Sequence, residues 1–242
     1  MRNEKSKQAT PDLVVSNVNQ RGQCDLFFIG LIKIFIMVFF PMWYIHVDPL
    51  HDKTAKTLYK AITKSIALVT GRGYKVIDIR CDSESGIVSS KDQIELNTGV
   101  RIDPLPSGQK AGVVEKAIDI VKSTVRTIVF SLPFVLSLFF MGWVVLFAAR
   151  SWNMKRHWGM PAPTEALRGW SIRSSDFRVG TMEYCQVKLP PVAGSNCATH
   201  PRSIGAISLC PMDSSPVAAA RFLNLSTGNT ITSSVFLDIP SI

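Results

Sequence analysis

Two stretches of this chain are apolar almost without interruption, and the segments between and after them alternate between helical and strand-like periodicities. The first, Leu26 to Tyr44 (LFFIGLIKIFIMVFFPMWY), carries one charge, Lys33. Its length alone suits a membrane-spanning helix. Its Phe, Ile and Val content, the turn residue Gly30 and the interruption at Pro41 instead predict two antiparallel strands over Leu26 to Phe40, since buried strands read as continuous apolar runs. With WYIHVDP as a third strand, the stretch becomes a meander. Residues 53 to 70 predict a helix, with Leu58, Ile62, Ile66 and Val69 on one face, Lys56, Lys60 and Lys64 on another, and a stop at Gly71 and Gly73. KVIDIRC alternates as a strand and leads into Asp82. Residues 85 to 111 are rich in turn formers and predict a short helix, a short strand and a mobile loop.

The second apolar stretch, Thr127 to Ala149, contains no charged residue. It is either a membrane span or the end of one helix and the start of another, broken at Pro133 because proline lacks an amide donor and clashes with the preceding turn. The pattern predicts the break, with Phe134, Leu138, Trp143 and Leu146 packed against other parts of the chain. From about residue 178 the chain shifts to short strand-like runs, MEYCQVKL, GAISL, RFLNL and TITSSVF, with a turn at 226 to 229. The fold class is therefore α/β, a mixed sheet with flanking helices followed by a small C-terminal β module. Its expected divisions are a disordered leader over 1–20, a core over 21–150, a basic linker over 151–177 and the β module over 178–242.

Composition narrows the partners. The chain of 242 residues has 27 Lys and Arg against 18 Asp and Glu, a net charge of +9 and a pI near 9.5. That balance suits a polyanion such as nucleic acid, or an anionic membrane face. The polar first segment holds no apolar signal-peptide core. Five cysteines without a CxxC pair, and four histidines without a cysteine pair at finger spacing, suggest neither a disulfide framework nor a zinc site. A reducing, intracellular compartment, nucleus or cytoplasm, is expected; a membrane location follows only if the apolar stretches span.

Glu115 opens a helical segment that is otherwise apolar and basic, and the acids at the ends of strand-like runs upstream are Asp25 and Asp82. Carboxylates are the ligands that hard cations such as Mg²⁺ or Mn²⁺ require. Asp48 is a rival for the first position, but its distance to Asp82 is already filled by one helix and one strand. Glu84 is a rival for the second, in the turn beyond the strand. Without further support, three ordinary surface acids would be the simpler reading.

That support comes from similarity. GQKAGVVEKAIDIVKSTVRTIVFSLPF resembles the segment around the catalytic Glu of integrases from copia-type retrotransposons, and KSIALVTGRGYKVIDIRCDSESGI resembles the segment around their second catalytic Asp. RSWNM, PTEALRGWSIRSSDFRVG, GAISLCP and RFLNLSTGNTITSSVF follow in the order of the linker and C-terminal module of those proteins. The resemblance implies a ribonuclease H-like core in which Asp25, Asp82 and Glu115 hold two Mg²⁺ or Mn²⁺ ions for DNA strand transfer. It also implies DNA as partner, self-association, and phosphate contacts from Lys110, Lys116, Lys122 and Arg126. The chain departs from the pattern in lacking the N-terminal His/His/Cys/Cys zinc domain, in having LIKIF where relatives carry a polar turn, and in having Asp119 where they carry a basic residue. Two alternatives stand beside the enzyme: a non-catalytic nucleic-acid-binding remnant of the same fold, and a two-span membrane protein with a basic central domain.

Overall fold

The first apolar stretch forms a hairpin. In the computed structural model, which describes residues 18–106, 111–188, 202–212 and 219–238, strand β1 (Asn19–Ile29) runs antiparallel to β2 (Ile32–Phe40). Ile29 pairs with Ile32, so the turn is Gly30 and Leu31, and Gly30 sits at φ +57°. A two-residue hairpin needs positive φ to match the twist of its strands, which a residue without Cβ supplies at least cost. β3 (Tyr44–Leu50) completes the meander on the far side of β2. Every residue from Ile34 to Phe39 is buried. Phe35, Met37 and Phe39 face helix α1 (Ala55–Thr70), and the intervening residues face the opposite layer, so β2 is apolar on both sides because both sides are covered.

α1 begins where Asp52 and Thr54 hold its first turn. Asp52 Oδ1 accepts the Thr54 amide at 3.0 Å, and Thr54 Oγ1 accepts the Thr57 amide at 3.4 Å. Leu58, Ile62, Ile66 and Val69 are buried as their spacing predicts, and the lysine stripe is exposed. The helix crosses over to β4 (Lys75–Cys81), which is parallel to β1. Short helices α2 (Ser85–Val88) and α3 (Lys91–Thr98) lead to β5 (Arg101–Pro104), parallel to β4. The sheet order is β3-β2-β1-β4-β5. Three antiparallel strands with two parallel strands added beside the first, and helices on both faces, make this a ribonuclease H-like sheet.

The second apolar stretch is broken. α4 (Gly112–Ser131) ends just before Pro133 and α5 (Leu138–Asn153) starts a few residues later. The two helices pack on each other, α4 against β1 and β2, and α5 against β2 and β3. No helix among the described residues is long and apolar enough to cross a membrane, so the two-span reading is corrected: one stretch is a hairpin and the other two helices. The expected packing at the break holds only in part. Trp143 and Leu146 are half-buried, whereas Phe134 and Leu138 are 49% and 56% exposed. Phe130, Val135 and Phe139 at the same corner are exposed as well. At the end of α5, Asn153 ties the helix to the sheet, accepting the Ile45 amide at 2.9 Å and donating to its carbonyl at 2.7 Å. α6 (Pro163–Arg168) contributes Leu167 to the core, and Tyr74 Oη donates to the Ala166 carbonyl at 2.6 Å.

The chain divides into two units, Met1–Ile172 and Arg173–Ile242. The second contains an antiparallel sheet of β6 (Tyr184–Lys188), β7 (Ser203–Pro211), β8 (Ala220–Asn224), β9 (Thr230–Ser233) and β10 (Phe236–Asp238), in the order β10-β6-β7-β8-β9. Its core gathers Cys185, Val187, Ala206, Phe222 and Phe236, the two phenyl rings 5.0 Å apart.

Candidate active site

Strand alternation decides which face of β1 carries chemistry. Cys24 pairs with Cys81 of β4, and both are fully buried under α1. Asp25, the next residue of β1, therefore turns to the other face, where α4 lies, and Asp82, just past the end of β4, is near enough to act on its charge. The joint between that face and α4 is Gln23, whose Oε1 accepts the amides of Val113 and Val114 at 3.1 and 3.2 Å. α4 has no side-chain cap of its own from Ala111, so a strand residue caps it across space. Glu115 is the next residue along, in the first turn, where the helix dipole favours an anion.

The charges of the site reach one another. The Asp25 carboxyl is pushed above its usual range, first by burial and then by the negative charges of Asp82, Glu115 and Glu84, while the hydrogen bond from Leu26 pulls the other way. Glu84, in the turn beyond β4, also pairs with Lys53 at 3.3 Å. Asp48 has separate employment: it sits on β3, beyond β2, and both its oxygens accept from Lys64 at 2.9 Å. Beneath the aspartates, burial and a hydrogen bond shared with Cys81 hold Cys24 as a neutral thiol, its pKa raised.

The donor set, three carboxylates, has the chemistry that a hard divalent cation requires, and the mutual repulsion felt by Asp25 is what such a cation would relieve. The side chains as they stand do not close around an ion: among the described residues no group of three or more Asp, Glu, His or Cys could hold one. Asp25 Oδ1 is turned to the amide of Leu26 at 2.6 Å and Asp82 Oδ1 to that of Ser83 at 2.8 Å. Ligation would exchange these short contacts for the metal through side-chain rotation.

The basic candidates are divided by the helix. Lys122 and Arg126 share the flank of α4 that carries Glu115, and the Lys122 ammonium lies 5.7 Å from the centre of the Phe27 ring. Lys116 is exposed on the opposite flank, and Lys110 lies outside the described residues. Asp119 is exposed one turn after Glu115. Two features of the site had no sequence signal that was read: Gln23, whose capping role depends on a partner 90 residues away, and a group of tryptophans beside α4 for which the aromatic–basic alternation of RSWNMKRHW was a usable cue.

No family model matches this chain. No curated protein matches it either. Among solved structures, the catalytic core domain of BIV integrase in crystal form I matches with a TM-score of 0.48 and 17% identity, covering 60% of this chain and 91% of that one.

Proposed function

We propose that this chain is an integrase-like protein that binds DNA and, with Mg²⁺ or Mn²⁺, transfers DNA strands at Asp25, Asp82 and Glu115, with 21–150 as its catalytic core and 178–242 as the following module. The observation that supports the reading is the approach of Asp25 of β1, Asp82 just after β4 and Glu115 of α4, close enough that the last two add their charges to burial in raising the Asp25 carboxyl. Like charges held together cost stability, and groups perturbed in this way concentrate at functional sites. Asp25, Asp82 and Glu115 would hold the metal, which when bound polarises the attacking and leaving oxygens of a phosphodiester. Lys122 and Arg126, on the same flank, would hold backbone phosphates, joined by Lys110 and Lys116. Origin in a copia-type retrotransposon polyprotein, self-association, and an intracellular site of action in nucleus or cytoplasm belong to the same proposal; their warrant is the sequence resemblance and the charge of +9.

A second reading, a non-catalytic nucleic-acid-binding remnant, is favoured by two observations. The carboxylates do not form a three-ligand group, and Asp119 places a negative charge one turn after Glu115, on the helix that carries Lys122 and Arg126. Incubation with end-mimicking DNA and Mn²⁺ separates the two. Nicking or joining that disappears in Asp82→Asn supports the enzyme, and salt-sensitive binding without any cleavage supports the remnant.

A further inference from the structure

On the flank of α4 opposite Glu115, unit 1 encloses a cavity of about 400 Å³, walled by Trp43 after β2, by Val113, Lys116 and Ile120 of α4, and by Trp152 and Trp158 at and beyond the end of α5. The rings are braced. The Trp158 ring lies 5.4 Å from that of Trp43 at 59° and 6.2 Å from that of Trp152 at 65°, while His157 stacks on Trp152 at 3.7 Å. His157 Nε2 is also 3.0 Å from the Trp152 carbonyl oxygen.

Two of these tryptophans are held at positive φ, Trp43 at +61° and Trp158 at +53°. That conformation is an outlier for a bulky residue, and such strain concentrates at ligand sites, where surrounding structure maintains it for use. Trp158 is nevertheless 68% exposed, so the fold spends effort on presenting an indole face to water.

The surroundings indicate what that face meets. The one charged residue of the wall is Lys116, and Lys155 precedes the His157–Trp158 pair, whereas the neighbouring Arg156 is paired with Glu165 at 3.2 Å. A ligand with a flat π-face and an attached negative charge satisfies both features; an aliphatic side chain satisfies only the apolar wall. The tilted Trp43–Trp158 pair lets a planar ring stack on one indole while meeting the edge of the other. Lys116 adjoins Glu115 in sequence and lies roughly 100° around the helix from it, on the surface of α4 between the Glu115 flank and the cavity.

We propose that this cavity receives an unpaired base of DNA bound to unit 1, stacked on Trp158 with its phosphate at Lys116. The proposal rests on the DNA-binding reading above. It predicts that the protein prefers duplex ends bearing unpaired nucleotides to blunt ends.

Fluorescence anisotropy of the full chain, without metal, against a blunt duplex and the same duplex with a three-nucleotide single-stranded extension tests it. Base–aromatic stacking removed by alanine substitution corresponds to about a 5- to 150-fold loss of affinity. Trp158→Ala is expected to show that loss on the extended duplex alone, Trp158→Phe is expected to retain most of the affinity, and both should match the parent in thermal melting. In the unaltered protein, extended duplex should quench indole fluorescence more than blunt duplex. Equal binding of blunt and extended duplex by the unaltered protein overturns the base pocket and leaves DNA binding intact; equal losses on both DNAs in Trp158→Ala do the same. Binding of neither DNA removes the underlying reading and the pocket assignment with it. If an acidic peptide with an apolar anchor residue quenches the indoles and is not displaced by extended duplex, the cavity is a protein-docking site and the base assignment fails.

Discussion

Replacing Gln23 by alanine tests how the site is built. Gln23 is 8% exposed, and its Oε1 accepts two amides from the first turn of α4. Loss of a helix cap costs about 1 kcal/mol. The Val114 amide belongs to a fully buried residue and would be left without an acceptor, adding about 1–3 kcal/mol, whereas the half-buried Val113 leaves its amide more accessible to water. Together these give about 2–4 kcal/mol, enough to fray the first turn and with it the placement of Glu115. Hydrogen exchange reads this directly: the amides of Val113 to Lys116 should exchange roughly 30- to 900-fold faster if the opening is local, a factor that follows from the same energies. Gln23→Glu keeps an acceptor and adds an anion at a helix N-terminus, which offsets part of its repulsion with Asp25, so it should retain more protection than alanine. If Gln23→Ala shifts urea unfolding by less than about 0.5 kcal/mol and leaves those amides protected, a cap supplied across space by β1 is not what holds α4 to the sheet.

Three further outcomes follow from particular contacts. A Cβ at Gly22 would sit 2.9 Å from Ile79 Cγ1 on the paired strand, so Gly22→Ala should destabilise unit 1 by about 1–3 kcal/mol in denaturant titration; no loss would mean that β1 and β4 are less tightly joined than they stand. Asp25 has a raised carboxyl pKa in the folded protein, so its contribution is complete below the unfolded value and is lost as pH rises through the folded one; Asp25→Asn should therefore melt higher than the parent at pH 7, converge with it in acid, and lose any stabilisation by Mn²⁺. The His46 imidazole is held down to about 4, chiefly by desolvation, and its Nε2 is enclosed without a hydrogen-bond partner among the described residues. The unfolded chain then takes up a proton that the folded one refuses, and stability falls as pH drops from the ordinary value of 6.5 towards 4, by about 3 kcal/mol in all, a loss that His46→Phe should abolish in urea melts across that range.

Local sequence determined much of this architecture because the determining interactions are short in range. Gly30 between two β-branched and aromatic runs is enough to specify a hairpin, Leu58, Ile62, Ile66 and Val69 are enough to aim α1, and Pro133 is enough to stop α4, since each acts through the backbone or through periodicity within a few residues. The strand ending before Asp82 and the helix start at Glu115 were legible for the same reason, with family resemblance choosing among several acids, whereas Asp25, expected at the end of a strand-like run, lies inside β1. The tertiary structure alone decided the rest. Whether an apolar run is buried depends on what covers it, so Phe134 and Leu138, as apolar as their neighbours, stay largely exposed between α4 and α5. Residues 151–177 read as a basic linker, yet Asn153 and Leu167 within them are held to the first unit through partners distant in sequence. Gln23 becomes a helix cap, and Trp43, Trp152 and Trp158 become the wall of one cavity, only because parallel pairing of β1 with β4 and the return of α5 bring them together. Contacts of that kind are set by chain topology and close packing, which no window along the sequence contains.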